Sequence, residues 1–497
     1  MQGSGQRDYL WLGAILALAA ALRIWGLNAP MWHDEIQTLV THVNLGWGEM
    51  LQSYSMNHHY LHNIAAKASM SLFGDAPWAI RLPAMLFGLG TVAAMWFLAR
   101  DIAGSTLAHV TALLLALSYH QIWFSQNARG YTGLALFSTL GMLYFLRGMK
   151  TPTRGTWALY GLCLAAAVFT HLTGAFFFMA QGLIWLAVVV SRALRGQLDG
   201  PVLRLPLMGF LLGGLIAVLV YLPILPSLLD TVSTVSESSA TDVMQEYQNP
   251  LWTAFEAIRT GIGQAGPIVA LVGAAVVSLS ALGAIALHRD APLFAVTTFV
   301  HIGLTAGLLM AVGMRIWPRF FFVDIGFLML LIVAGVQLSC AVIAHFIGGE
   351  RVSRGLFVIS AVAMVAISAF LAKRNYDFPK QDLAGAYAVT ESQRRPGDRV
   401  YAVGYSEQDF RVYYNADWGA IYSNDEYLAA MAEPGPVILV VGFPGRNFRD
   451  VPQMALDAGV GGSDICAPDR PEKTVLKAVR CFGGTLGDGN VIVFRRD

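Results

Sequence analysis

Charge is scarce in this sequence. Asp, Glu, Lys and Arg make up 13% of the 497 residues, against 56% apolar residues, and mean hydropathy is +0.54. Soluble domains carry about 25% charged residues, so a water-soluble enzyme is excluded and a polytopic membrane protein is indicated. The formal net charge is only +1, which argues against a nucleic-acid partner. Cysteine is scarce too, with four in the chain. Cys163 and Cys340 lie in apolar runs and read as packing residues. Cys466 and Cys481 lie in the polar C-terminal part, where they either pair, if that part faces an oxidising compartment, or stay free thiols. Three signatures are also missing: an HExxH zinc pattern, a glycine-rich nucleotide loop in the C-terminal part, and a small-residue cleavage site after the first apolar run. That first run is therefore expected to be a retained helix rather than a signal peptide.

The charge that is present is uneven. Met1–Ala372 holds 33 charged residues and Lys373–Asp497 holds 32, so the expected architecture is a bilayer domain over residues 1–372 followed by a soluble domain over 373–497. Windows of about 20 apolar residues place spans at 9–28, 82–100, 105–120, 130–147, 156–172, 174–192, 207–228, 265–287, 291–313, 319–345 and 354–372, about eleven transmembrane helices. With the N-terminus inside, Arg7, Arg100, Arg147, Lys150, Arg154, Arg192, Arg195, Arg204, Arg289, Arg351 and Arg354 fall on the cytoplasmic side. Only Lys67, Arg81, Arg129, Arg259, Arg315 and Arg319 fall opposite. That asymmetry favours a cytoplasmic N-terminus. An odd number of spans then puts the C-terminal domain outside, in the periplasm of a bacterium.

Two external stretches are long. Residues 28–81 show helical spacing at Glu49–Met56 and Tyr60–Phe73, with Leu61, Ile64, Ala65, Ala68 and Leu72 on one face, as expected of interfacial helices. Residues 229–264 are polar and then amphipathic near Trp252, the character of a lid or of a plain connector. In the tail, Lys380–Gln393, Asp425–Met431 and Glu472–Arg480 read as helices. Arg399–Val403, Phe410–Tyr414, Pro436–Val441 and Asn490–Arg495 read as strands. The continuous apolar run Val437–Val441 suits a central parallel strand, so a small α/β domain is expected.

Chemistry concentrates at the external ends of spans. Asp34 and Glu35 follow the first span beside His33. Asp34 at a helix start would serve as an N-cap, whereas a carboxylate pair at the membrane surface suits a general base acting on an acceptor hydroxyl. Arg129, Arg315 and Arg319 lie at the mouths of two later spans, where arginine either snorkels to headgroups or stabilises a phosphate that gains charge as it departs. The run Asn57-His58-His59-Tyr60-Leu61-His62 contains His58 and His62 at i, i+4 spacing. With no acidic or cysteine ligand nearby, it suits phosphate or hydroxyl binding better than zinc. Asp34 is also a candidate ligand for a divalent cation, the only cofactor that the sequence suggests.

Several stretches together resemble the GT-C integral-membrane glycosyltransferases, in the branch of dolichyl-phosphate-mannose–protein mannosyltransferases (glycosyltransferase family 39) and lipid A aminoarabinose transferase. They are Asp34-Glu35; Asn57-His58 with Leu61; Phe73-Gly74-Asp75 with Trp78, Arg81-Leu82-Pro83 and Gly88; Ser125, Ala128, Arg129 and Tyr131; and Pro318-Arg319-Phe320. The resemblance covers the membrane domain and only the placement of the tail. It implies an inner-membrane enzyme that transfers a sugar, with inversion, from a polyprenyl-phosphate donor to an envelope acceptor (a glycolipid, polysaccharide or protein) on the external face. Carried over, Asp34 is the base with Glu35 beside it. Arg129, Arg319, Arg315 and His58 meet the donor phosphate, and His33, Asn57, His59 and Tyr131 line the substrate site. Two positions depart from the pattern: His59-Tyr60 replaces a Pro-Pro pair, and Asn127 replaces a glutamate. A transporter or flippase of a lipid-linked sugar is the rival reading, but it favours charges buried in mid-span and repeated halves. Only Arg23 and Asp324 lie within spans, and no repeat is apparent. A non-catalytic envelope scaffold is the third reading.

Overall fold

The computed structural model describes residues 2–55, 57–237, 245–263, 266–460, 474–485 and 487–497. They divide into two compact units, Met1–Leu27 with Gly46–Arg374 and Asn28–Leu45 with Asn375–Asp497. The segment carrying Asp34 thus groups with the tail, apart from the rest of the stretch 28–81.

In chain order the helices are α1 (Gln2–Trp25), α2 (His33–Thr38), α3 (Trp47–Met50), α4 (Tyr60–Phe73), α5 (Pro77–Leu117), α6 (Tyr119–Ser125), α7 (Tyr131–Lys150), α8 (Arg154–Thr170), α9 (Gly174–Leu194), α10 (Gly200–Tyr221), α11 (Leu225–Glu237), α12 (Pro250–Ile262), α13 (Pro267–Leu287), α14 (Pro292–Ala311), α15 (Asp324–Ile347) and α16 (Glu350–Asp377). All eleven expected spans fall on helices. Among the described residues, eight helical stretches are long and apolar enough to cross a membrane. Part of the difference lies in α5, which carries two of the expected spans and breaks at Gly104 (φ 81, ψ 171), a conformation that favours glycine. The rings of Trp96 and His109 are 5.8 Å apart. A straight helix would separate those residues by about 20 Å, so the chain doubles back at Gly104. A second part lies in α8, whose 17 residues fall short of a full crossing.

One end of the membrane unit is laced by polar contacts. Ser105 donates to the Asp8 carboxylate at 2.6 Å, Arg100 to the Tyr9 hydroxyl at 3.2 Å and Arg147 to Asp101 at 2.6 Å. Elsewhere helices approach closely through small residues, the usual device where lipid offers no hydrophobic drive. A Cβ on Gly283 of α13 would lie 1.9 Å from the Leu331 carbonyl of α15, and one on Gly335 would lie 2.0 Å from the Leu279 carbonyl. Arg23, buried in the span of α1, donates to the Ser125 hydroxyl at 3.0 Å and to the carbonyls of Ala19 and Ala116 at 3.1 Å. Asp324, buried at the start of α15, bonds His301 at 2.8 Å. Both charges within the expected spans therefore lie near helix ends and have structural partners.

The stretch 28–81 contains the helix expected at Tyr60–Phe73, whereas the helix expected at Glu49–Met56 ends at Met50 and residues 51–55 are turn and coil. His62, Asn63, Ala66 and Ser69 are buried, while Leu72 is 77% exposed. Hiding the polar face and leaving the apolar face outward suits an interfacial helix. The expected lid region carries amphipathic helices α11 and α12 joined through a 3₁₀ turn at Gln245–Gln248; residues 238–244 lie outside the described set.

The second unit adds α17 (Leu383–Gln393), β1 (Arg399–Val403), β2 (Gly419–Ile421), α18 (Asn424–Ala432), β3 (Val437–Gly442), α19 (Pro444–Asp450), α20 (Pro452–Asp457), β4 (Lys477–Phe482) and β5 (Val491–Arg496). The sheet order is β2-β1-β3-β5-β4. Strand β3 is wholly buried, parallel to β1 and antiparallel to β5, so the sheet is mixed. Two expectations fail. Phe410–Tyr414 is not a strand but part of a π-helical turn, Asp409–Tyr413, because Phe410 and Tyr414 both turn inward against Trp418 and Tyr387, with ring centroids 4.8 and 5.0 Å apart. Lys477–Arg480 belongs to a strand rather than a helix, since it pairs with β5. Cys481 is disulfide-bonded; its expected partner, Cys466, lies outside the described residues.

Candidate functional site

In the membrane unit, the site is built where three chain turns meet: the start of α4, the start of α7, and the turn between α8 and α9. Arg129 is 2% exposed and immediately precedes α7. Its guanidinium lies 5.9 Å from the Tyr131 ring. Tyr131 meets His59 at 5.0 Å and His171 at 5.5 Å, and the two imidazoles are 4.9 Å apart. Arg129 and Arg319 both lie within electrostatic reach of His171, and Arg129 also of His59. Gly130 permits this convergence, since a Cβ there would lie 2.8 Å from Thr170 Cγ2 and 3.0 Å from the His59 ring.

His59 is the informative member. It is 1% exposed, and neither ring nitrogen has a hydrogen-bond partner among the described residues. Burial, reinforced by Arg129 and the neighbouring histidines, holds its pKa well below the ordinary histidine range. It therefore stays neutral at physiological pH and keeps one N–H to donate. A buried imidazole with nothing to bond is costly unless a ligand completes it.

His58 is placed differently from expectation. Its Nε2 bonds the Met50 carbonyl at 3.3 Å and its Nδ1 bonds Asn63 at 3.2 Å, so it fixes the loop. The Tyr60 ring stacks on His58 at 3.7 Å and meets Phe169 and Tyr221 at 5.7 and 5.8 Å. The aromatic pair that replaces Pro-Pro thus does two jobs, with His59 in the site and Tyr60 as anchor. His171 was not anticipated. The available signal was a histidine in a short turn between two apolar spans.

The Arg319 segment is held from the side. Trp317 lies 5.0 Å from the guanidinium of Arg319 and 5.8 Å from that of Arg315, and it meets Tyr247 at 4.5 Å. Ile316 donates its N–H to the Tyr247 carbonyl at 2.7 Å and accepts at its own carbonyl from Thr253 at 2.6 Å. The stretch expected to be a lid therefore also supports the phosphate-binding candidate.

In the second unit, α2 carries His33, Asp34 and Glu35. Its N-cap is Trp32, so Asp34 is within the first turn and does not cap the helix. Asp34 is half-buried, and Glu35 is fully buried with Oε2 turned back to the Trp32 N–H. Glu35 thus supports the helix, which leaves Asp34 as the accessible carboxylate of the pair. The His33 Nδ1 bonds the buried Asp409 at 2.7 Å. Among the described residues, no three His, Cys, Asp or Glu side chains are placed to hold a metal.

A family model described as dolichyl-phosphate-mannose-protein mannosyltransferase matches residues 57–226. The structure of ArnT from Cupriavidus metallidurans bound to undecaprenyl phosphate aligns over 98% of this chain and 98% of that one, at TM-score 0.51 and 14% identity. The chain has the GT-C glycosyltransferase fold. The apo state of the same ArnT aligns with this GT-C chain over 100% of its length and 98% of the ArnT chain, at TM-score 0.51 and 13% identity. No curated sequence relative matches it.

Proposed function

We propose that this GT-C protein transfers a sugar, with inversion, from a polyprenyl phosphate to a hydroxyl of an envelope glycolipid, polysaccharide or protein, at the periplasmic face of a bacterial inner membrane. The observation that carries the reading is the cluster of Arg129 and His59, both buried, with the half-buried Arg319 and His171. Two permanent cations and two imidazoles suit an anion that leaves with growing negative charge. The family match and the ArnT structure bound to undecaprenyl phosphate support a lipid phosphate as that anion. Asp34 accepts the proton of the acceptor hydroxyl as that oxygen attacks the anomeric carbon. The bond from that carbon to the phosphate oxygen breaks, and Arg129 and Arg319 hold the released phosphate. The transporter reading gains nothing, because Arg23 and Asp324 lie near helix ends and bond Ser125 and His301.

The test is Asp34→Asn in the full-length protein, assayed for release of undecaprenyl phosphate from a panel of undecaprenyl-phosphate monosaccharides. Turnover should fall by about 10²–10⁴-fold with undecaprenyl phosphate still bound. Undiminished turnover would exclude Asp34 as the base.

A further inference from the structure

The helix that carries Asp34 is too short to hold itself. It has six α-helical residues followed by a five-residue π-helical turn, Leu39–Val43. Isolated helices shorter than about 12–15 residues are marginal in water. A base must be held within a fraction of an ångström of its working position, and a misplacement of about 1 Å costs about 10²-fold in rate. Something outside the helix must supply that rigidity.

The tail supplies three hydrogen bonds and one ring contact. The Asp409 carboxylate uses one oxygen for the His33 Nδ1 at 2.7 Å and the other for the Gln37 Nε2 at 3.2 Å. His33 and Gln37 are i and i+4, so they share a helix face, and Asp409 bridges them across the turn that bears Asp34. The Gln381 side-chain oxygen accepts the His33 backbone N–H at 3.3 Å, one of the donors that a helix start leaves unmatched. The His33 ring also meets the edge of Phe443 at 5.0 Å. Asp409 is wholly buried, and a charge-assisted bond in such a place is stronger than one in water.

We infer that Asp409, with Gln381, is a positioning device for the catalytic carboxylate, and that holding α2 is a function of the C-terminal α/β domain. Asp409 fixes His33 and Gln37, and through them the backbone that carries Asp34. Asp409 is a positioning residue rather than a catalytic one. The inference rests on Asp34 being the base.

The experiment uses full-length Asp409→Ala, Asp409→Asn, His33→Ala and the double variant H33A/D409A. Hydrogen exchange over residues 33–43 should rise at least about tenfold in D409A, with β3 and β5 still protected. Turnover on the undecaprenyl-phosphate monosaccharide panel should fall about 10- to 100-fold through kcat, with KM unchanged. H33A/D409A should be no worse than the weaker single variant, as for two residues acting as one contact, and D409N, which keeps an acceptor oxygen, should recover part of the loss. Unchanged exchange over 33–43 in D409A would overturn the inference, and so would loosened exchange with full turnover or additive losses in the double variant. Asp34→Asn separates the two readings: it should abolish turnover while exchange over 33–43 stays at the wild-type level. If D34N stays active, the base assignment fails while the brace still stands on the exchange data.

Discussion

Gly130 offers the sharpest test of the proposed phosphate pocket. Its backbone, at φ −77 and ψ 2, suits any residue, so only space is at stake in Gly130→Ala. The new methyl would stand 2.8 Å from Thr170 Cγ2 and 3.0 Å from both Cβ and Nδ1 of His59. Thr170 is β-branched and stiff within α8, so His59 is the group that yields. Overpacking of this kind costs about 1–3 kcal/mol, or about 5- to 150-fold in an equilibrium constant. Undecaprenyl phosphate binding to full-length protein in nanodiscs should weaken within that range. Thr170→Ser removes the methyl and keeps the hydroxyl that bonds the Ala166 carbonyl at 2.7 Å, so G130A/T170S should bind more tightly than G130A. Wild-type affinity in G130A, or no recovery in the double variant, would refute the claim that His59 is held at the ligand by a missing side chain.

The same titration should show Arg129→Ala and Arg319→Ala weakening binding by about 10- to 150-fold, from the 1.5–3 kcal/mol of a hydrogen bond to a charged group. R129K should recover only part, because an ammonium lacks the guanidinium fork. Gly283→Val should yield no monodisperse protein on size exclusion, since its Cβ would stand 1.9 Å from the Leu331 carbonyl, which is backbone and cannot move aside. Burial raises the Asp409 pKa above the usual carboxylate range, partly offset by His33 and Gln37. A raised folded value means that stability from this group is fully present below the unfolded pKa of about 3.9 and is lost as pH rises through the folded value. D409N should therefore flatten the decline of the melting temperature above about pH 4, and a curve parallel to wild type would contradict this.

Much of the fold is legible because the bilayer enforces a simple rule, and each expected span falls on a helix. The break at Gly104 is legible as well, since it falls between the expected spans 82–100 and 105–120. β1 and β3 are legible from their apolar runs. Asp409–Tyr413 is not, because alternation cannot distinguish a strand from a turn whose aromatic residues both fold inward. Among the candidate residues of the two units, Asp34, Arg129, Arg319, His59 and Tyr131 are readable as polar residues near span ends. The division of labour between His58 and His59 is invisible in sequence, since it depends on which ring Met50 and Asn63 reach. Asp409 is equally hidden, an ordinary acid in a polar tail until folding sets it against His33.

The separation of 376 positions between His33 and Asp409 imposes an order on biosynthesis. The ribosome releases the proposed base near the start of translation and its proposed brace only near the end. Each nascent chain therefore inserts its spans before that brace exists, and a product that stops before residue 409 would enter the bilayer without it.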